Sequence, residues 1–549
     1  MKHYLSRFQD AVVQNWDRLA LCNYGGKEYT FGDVAKTIEQ YHIIFEELGI
    51  KKNDKVAICM PNSAQWANVF LAIGSYGAVM VPILYDFTPE SVTHLVEHSE
   101  AKFLFIDKKK WDLIDSSHFT HLNMAISVEP EVLYTKTITE QPAEFMERVA
   151  KKFAERHPNG FGPNDVHYTT DNLDELAIIN YTSGTTSDPK GVMLTNRNIS
   201  SNIDFGLENI PNGPGDTVLS MLPLAHMFGM AFEFIYPIAG GCTIYFLGKT
   251  PTPQILMKGL ADVKPYLVLT VPLVVEKIFK NAVIPTISKQ PVKFLMSNPI
   301  TRGLVAKKIR EKLLAFFGGN MRVLILGGAA LNQDIEKIMQ QIKMPYTVGY
   351  GMTECAPLIG YHEWKTFKKG SCGTIVDRME IKIDSANPEK ISGEILVKGD
   401  NVMMGYYKNE EATKATFTED GQWLRTGDMG TIDKDGNIFI KGRCKSMILT
   451  DSGQNIYPEE IEDKINNLNY VVESIVVERN KQLVALVVPD RKKAEEDGLD
   501  EQALIQLMEE NRAAVNLQTP AYSKVVKFEL MNEPFQKTPK MSIKRFLYK

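Results

Sequence analysis

Ala177-Ile-Ile-Asn180 runs directly into Tyr181-Thr-Ser-Gly-Thr-Thr-Ser-Asp-Pro-Lys-Gly191. The first four residues are a short apolar run with the pattern of a buried strand. Behind them Thr182, Ser183, Thr185 and Thr186 crowd around Gly184, and a turn-forming Asp188-Pro189 precedes Lys190 and Gly191. A strand that opens into a loop dense in hydroxyls and backbone N–H groups suits the cradling of phosphate oxygens. It is not a Walker A loop, which needs Gly-x4-Gly-Lys-Ser/Thr. Here Lys190 follows Pro189 and precedes Gly191. A solvated turn is the competing reading of this loop taken alone.

The surrounding first half alternates helical patterns with apolar strands, as α/β folds do. Lys55-Val-Ala-Ile-Cys-Met60 predicts a strand, Ala64 to Tyr76 a helix, Ala78-Val-Met-Val-Pro-Ile83 a strand, and Thr88-Pro-Glu a helix start. Ala101 to Asp107, Thr217 to Leu222 and Cys242 to Phe246 repeat the strand theme, and Arg322-Val-Leu-Ile-Leu326 runs into Gly327-Gly328. From about Gly373 short β segments take over: Met379 to Ile383, Gly393 to Lys398 and Asn437 to Lys441. A linker is expected near residues 442–446, followed by helix Glu459 to Leu468, strands Val471 to Glu478 and Leu483 to Val488, helix Glu501 to Arg512, and a basic tail. Residues 108–172 match no motif.

At 549 residues the chain exceeds one core, and a prior of roughly three to four domain-sized units applies. Both charge signs are mixed, with a net −5, so no electrostatic footprint points to nucleic acid. The start of the chain lacks a signal-peptide pattern. The most apolar run, Tyr266 to Val275, is about half a membrane span and contains Pro272. The cysteines, Cys22, Cys59, Cys242, Cys355, Cys372 and Cys444, show no metal-ligand spacing. A cytoplasmic protein with reduced thiols is expected. Peripheral membrane contact stays open, although no clear basic amphipathic segment announces it.

Four further segments carry chemistry. Leu222-Pro-Leu-Ala-His226 places a histidine between a strand and an apolar helix; a lone His is more often structural. In Gly349-Tyr-Gly-Met-Thr-Glu354, Tyr350 offers a flat face to a purine, Thr353 a hydroxyl to a phosphate and Glu354 a hard oxygen to Mg²⁺. Trp423-Leu-Arg-Thr-Gly-Asp428 ends in a carboxylate suited to a ribose diol, or in a plain hairpin turn. Gly442-Arg443-Cys-Lys445 brings another cation, or is an exposed linker.

In this order and at these intervals the segments resemble the acyl-adenylate-forming (AMP-binding) superfamily, which includes acyl-CoA synthetases, luciferases and nonribosomal adenylation domains. Ile456-Tyr-Pro-Glu-Glu-Ile-Glu462 extends the match over nearly the whole chain. The resemblance implies an α/β fold: a large N-terminal domain of layered α/β subdomains over residues 1–442, with a β subdomain at about 373–442. A small, mobile α+β domain would follow over 446–549, hinged near Lys445. It further implies that a carboxylate is activated with ATP and Mg²⁺ to acyl-AMP and then passed to a thiol. Thr182, Ser183, Gly184, Thr185, Thr186 and Lys190 take the place of the phosphate loop, and Thr353 and Glu354 of the α-phosphate and metal contacts. Gly328, Ala329 and Tyr350 would line the adenine, Asp428 and Arg443 would bind the ribose, and His226 would gate the acyl pocket.

One departure stands out. The family's tail carries a Lys that bridges carboxylate and α-phosphate, whereas Lys537-Thr-Pro-Lys540-Met-Ser542-Ile-Lys544-Arg545 puts Ser542 there. In an extended segment, residues two apart point the same way about 6.5 Å from each other. Lys540, preferred, or Lys544 is therefore expected to substitute. The apolar Met227-Phe-Gly-Met-Ala-Phe232 disfavours an ammonium-bearing substrate, which would be left unpaired. With the tail's likeness to long-chain fatty acyl-CoA synthetases, a medium- to long-chain fatty acid is expected, with coenzyme A as acceptor. An acyl-carrier-protein phosphopantetheine is the alternative acceptor. A non-catalytic protein that binds nucleotide or acyl-AMP is the alternative of another class, resting on Ser542 alone. Chain length and oligomeric state are not legible in the residues.

Overall fold

The computed structural model describes residues 1–127, 133–135, 142–168, 172–182, 189–248, 252–449, 455–537 and 543–548. Two large sheets dominate. One has eight strands in the order Gly405–Tyr406, Lys190–Thr195, Leu176–Thr182, Val79–Pro82, Lys55–Cys59, Phe103–Ile106, Met124–Ile126, Leu133–Thr135. The other has seven, in the order Tyr346–Val348, Val323–Leu326, Leu267–Thr270, Thr217–Ser220, Thr243–Phe246, Leu19–Asn23, Glu28–Thr30. Their central strands are parallel and buried, which is why Val-Leu-Ile-Leu and Leu-Val-Leu-Thr read as unbroken apolar runs rather than alternating ones.

Helix Ala64–Tyr76 packs between the sheets, touching Leu19–Asn23 of one and Lys55–Cys59 and Val79–Pro82 of the other. Ser63 caps its start by accepting from the Trp66 amide, and Gly77, at φ +82°, ends it in the left-handed conformation. Nearly every side chain in between is buried, as expected of a helix covered on all sides. Its Phe70 meets the Phe234 ring edge-on at 5.4 Å, joining it to the helical stretch that begins at Met227.

The β texture after Gly373 resolves into an antiparallel sheet of Met379–Asp384, Gly393–Gly399, Leu424–Ile432 and Ile438–Arg443. Gly442 and Arg443 are still laddered, Arg443 opposite Asp428, so the connection onward starts later than Gly442. The last part carries strands Val471–Arg479, Gln482–Pro489 and Val525–Leu530 with helices Pro458–Asn466 and Glu501–Leu517. The chain is thus α/β, with a small α+β portion at its end.

The apolar run Tyr266 to Val275 divides into strand Leu267–Thr270 and helix Pro272–Ile278, where Pro272 takes the first turn because no intrahelical N–H is needed there. The unread stretch 108–172 contains helix Pro142–Arg156. Among the described residues no helix is long and apolar enough to cross a membrane.

Candidate active site

The parallel strands of the seven-stranded sheet end on one side. Their trailing segments are Met221 to His226, Val271, Gly327-Gly328 and Gly349-Tyr350. In open α/β sheets this edge is where ligands bind. Gly349 N–H donates to Leu326 O (2.8 Å), bringing two of these segments together. Gly328 sits at φ +83° and is exposed with Ala329. A Cβ on Gly327 would meet the Phe228 ring at 3.0 Å, so the glycine lets that ring lie against the strand end.

The base of the candidate phosphate loop is closed by pairing: Thr182 opposes Lys190 in the hairpin of Leu176–Thr182 and Lys190–Thr195. Ser183, Gly184, Thr185 and Thr186 lie outside the described residues. Gly405–Tyr406 adds antiparallel to Lys190–Thr195 and carries Tyr406 across from Val192. The Lys190 ammonium lies 4.8 Å from the Tyr406 ring centroid, a cation–π contact. The Tyr406 hydroxyl donates to Glu354 Oε1 (2.8 Å), so one tyrosine joins the loop base to the Thr353–Cys355 turn. Helix Asn196–Asn209 braces that turn from beneath: buried Asn202 donates to Cys355 O (3.2 Å) and accepts from Leu358 N (2.9 Å). Thr353 is buried and Glu354 half-buried.

Asp428 is not in a hairpin turn. It sits inside strand Leu424–Ile432, directly after Gly427 at φ +71°. Its Oδ2 accepts from the Tyr350 hydroxyl (2.7 Å), and Arg443 Nε lies 2.9 Å from its Oδ1. Burial raises the Asp428 pKa, Arg443 and the Tyr350 hydroxyl oppose the rise, and the negative charges of Glu354 and Glu459 add to it. Burial and Asp428 push the Tyr350 phenol well above its ordinary range. Tyr350 therefore contributes an orienting hydroxyl as well as a ring, a role its aromatic character alone did not suggest.

The loop before His226 is fixed from three sides. Asn62 donates to Leu222 O (2.6 Å) and accepts from Leu224 N (2.9 Å), and Asn180, in the strand leading to the phosphate loop, donates to Ala225 O (3.0 Å). Glu233 Oε2 accepts from Met221 N and Leu222 N, both at 2.8 Å, and lies 3.2 Å from Ser220 Oγ. Glu233 is fully buried, and burial pushes its carboxyl up to about 8 despite those three hydrogen bonds. It lies in a π-helical stretch, Met230–Ile235, between Met227–Gly229 and Tyr236–Ala239. Extra residues per turn of this kind often accompany functional sites. The half-buried His226 caps this helix, its Nδ1 accepting from Phe228 N (3.3 Å).

In the tail, Lys537 and Ile543 pair as an antiparallel bridge, and Lys544 N–H donates to Gln536 O (2.9 Å). Lys540 and Ser542 lie outside the described residues. Among the described residues no hydrogen bond or ion pair joins Lys544 to Thr353, Glu354 or Asp428, while the neighbouring Arg545 pairs with Glu462. Lys445 is exposed in the turn after Arg443. Tyr406, Glu233, Asn62 and Asn202 escaped the sequence reading. Only Asn62, between the strand at 55–59 and the helix at 64–76, carried a local signal.

Comparison with known proteins agrees with this geometry. The family model described as AMP-binding enzyme matches residues 8–407, and the AMP-binding enzyme C-terminal domain matches 445–548. The long-chain-fatty-acid–CoA ligase FadD15 of Mycobacterium bovis is 28% identical over 485 residues, covering 84% of this chain and 77% of that protein. The long-chain-fatty-acid–[acyl-carrier-protein] ligase AEE15 of Arabidopsis thaliana is 27% identical over 535 residues, covering 84% and 72%. The crystal structure of the anthranilate CoA ligase AuaEII in complex with anthranoyl-AMP superposes with a TM-score of 0.77 at 18% identity, covering 98% of this chain and 96% of that one, a likeness of fold. With family models matched across residues 8–407 and 445–548, the chain belongs to the AMP-binding enzymes, the adenylate-forming CoA ligase family.

Proposed function

We propose that the chain activates a medium- to long-chain fatty acid with ATP, giving acyl-AMP and pyrophosphate, and then transfers the acyl group to coenzyme A with release of AMP. The observation that carries this reading is the joining of motifs distant in sequence: Lys190 to Glu354 through Tyr406, and Asp428 to Tyr350 and Arg443. A nucleoside triphosphate needs both ends of such an arrangement.

A carboxylate is a poor nucleophile toward a triphosphate because both are anionic. Thr182, Ser183, Gly184, Thr185, Thr186 and Lys190 would hold the phosphates, and Thr353 would donate to the α-phosphate. Glu354 offers a hard oxygen of the kind Mg²⁺ takes; bound there, the ion would neutralise phosphate charge. Asp428 accepts the ribose hydroxyls, Arg443 opposes the rise that burial gives the Asp428 pKa, and Gly328 and Ala329 leave room for the base beside Tyr350. Lys540 or Lys544 supplies the cation between carboxylate and α-phosphate, brought in by rotation about Lys445. His226 gates the acyl channel.

The fatty-acid assignment draws on the apolar Met227-to-Phe232 wall and on what the FadD15 relative is named for. The second acceptor, an acyl-carrier-protein thiol, is favoured by the AEE15 relative. Pyrophosphate release with ATP and Mg²⁺ across a series of acids, with and without coenzyme A or carrier protein, tests all of this. We expect a maximum at one medium or long chain length and thioester only with coenzyme A. Release with aryl or short acids alone would overturn the acid assignment, thioester only with carrier protein would overturn the acceptor, and no release with any acid would overturn the catalytic reading.

A further inference from the structure

Residues 277–316 hold nine Lys or Arg and one acidic residue, Glu311, in a chain whose net charge is −5. They fold mainly as the short helices Ile284–Ser288 and Val292–Ser297 and the longer Pro299–Phe316. The two short helices have no buried residue, and no residue from 284 to 305 is buried. The apolar side chains at this tip point outward: Phe294 is 64% exposed, Ile300 86% and Leu304 68%. Further along, Ala306 and Leu313 turn inward and anchor the long helix to the core beneath the seven-stranded sheet.

The arrangement of charge on that helix is directional. Ile300, Leu304 and Lys308 stand four residues apart and share one stripe, with Lys307 beside them. Each step advances about 6 Å along the axis. The stripe therefore passes from apolar to cationic over about 12 Å, with Lys289, Lys293 and Arg302 exposed around the tip. A soluble partner's interface would not need this grading, and nucleic acid would not reward three apolar tips. A bilayer does: acyl chains take Phe294, Ile300 and Leu304, and anionic headgroups take the lysines and Arg302.

We infer that this helical tip is a peripheral docking surface for anionic lipid bilayers. Helix Pro272–Ile278, which leads to the tip, begins immediately after Val271, the residue a Cβ on Gly328 would approach at 3.9 Å. The chain thus leads from beside Gly328 in the candidate site to the tip. The inference rests on exposure and charge and stands whether or not the acid is a fatty acid.

The test is flotation of the full chain with vesicles of phosphatidylcholine alone and of phosphatidylcholine with phosphatidylglycerol. We expect binding to the anionic vesicles only, weakened by salt. Phe294→Asp/Ile300→Asp/Leu304→Asp should lower that binding on the order of a hundredfold, since insertion scales with buried apolar area. Lys289→Gln/Lys293→Gln/Arg302→Gln/Lys308→Gln should lower it by about fivefold per charge removed. Both variants alter exposed positions and should melt with the parent chain. Wild-type protein that floats with neither vesicle, or variants that bind as wild type, would overturn the inference. So would an apolar-tip variant that changes only the oligomeric state in light scattering, which would make the face an interface between copies. Because the readout is flotation, absence of turnover does not affect it.

Discussion

Replacing Glu233 by glutamine separates the charge of this buried group from its shape. In the folded chain burial holds the carboxyl up to about 8, against an ordinary value of 4.5. Below pH 4.5 both folded and unfolded chains carry the proton and the residue is neutral in the balance. Between pH 4.5 and about 8 only the unfolded chain releases it, so stability falls as pH rises. At about 1.4 kcal/mol per pH unit the full window amounts to about 5 kcal/mol, a ceiling because relaxation and water entry lower it. Glutamine keeps an oxygen to accept from the Met221 and Leu222 amides and cannot ionise. Glu233→Gln should therefore match wild type near pH 5 and exceed it by a few kcal/mol near pH 8. Urea unfolding of both proteins across that range gives the result, the difference at each pH being used because a chain of this size unfolds in several steps. Parallel curves at all pH values would refute the argument that burial of this carboxyl outweighs its hydrogen bonds.

Tyr406→Phe keeps the ring beside Lys190 but removes the 2.8 Å bond to Glu354; the metal dependence of pyrophosphate release should shift about five- to tenfold toward higher Mg²⁺, and an unchanged titration would disconnect Tyr406 from the site. Gly351→Ala would place a Cβ 2.2 Å from Pro357 O and should cost more than about 2 kcal/mol and most of the activity, whereas Gly303→Ala, in helix Pro299–Phe316 with nothing within 4 Å, should stabilise by about 0.5–1 kcal/mol in thermal melting. Lys540→Ala, Lys544→Ala and the double variant, assayed for acyl-adenylate formation alone, should show one lysine lowering the rate by at least about a hundredfold; three unchanged rates would end the substitution hypothesis for Ser542.

What could be read from the residues depended on whether the signal was local. Ala64–Tyr76 was legible to both ends because Ser63 and Gly77 punctuate an apolar pattern. Lys55–Cys59, Val79–Pro82, Phe103–Ile106, Thr217–Ser220 and Val323–Leu326 were legible because parallel, doubly covered strands are continuous apolar runs. Glu233 was not, since a single acid inside an apolar helix looks like a helix boundary or a surface position until its burial is known. The basic tip was missed for the opposite reason. Phe294, Ile300 and Leu304 look like core, and only their exposure makes the surrounding Lys289, Lys293, Arg302, Lys307 and Lys308 meaningful.

Tyr406 shows a deeper limit. Its position is set by a two-residue strand that adds to the edge of the eight-stranded sheet more than two hundred residues after its partner, Lys190–Thr195. Motifs at strand ends announce their chemistry in contiguous residues, because one turn must supply the donors for one group of the ligand. The contacts that orient those motifs come from whichever later strand completes the sheet, and no local pattern encodes that pairing. The same edge strand carries the chain past Met403, whose amide donates to Glu354 O (2.9 Å), so backbone and side chain of this late segment both fix the position of Glu354. Glu354 thus owes its identity to its motif and its place to the closing of the sheet. A variant that unpairs Gly405–Tyr406 should weaken adenylation while leaving every recognisable motif intact.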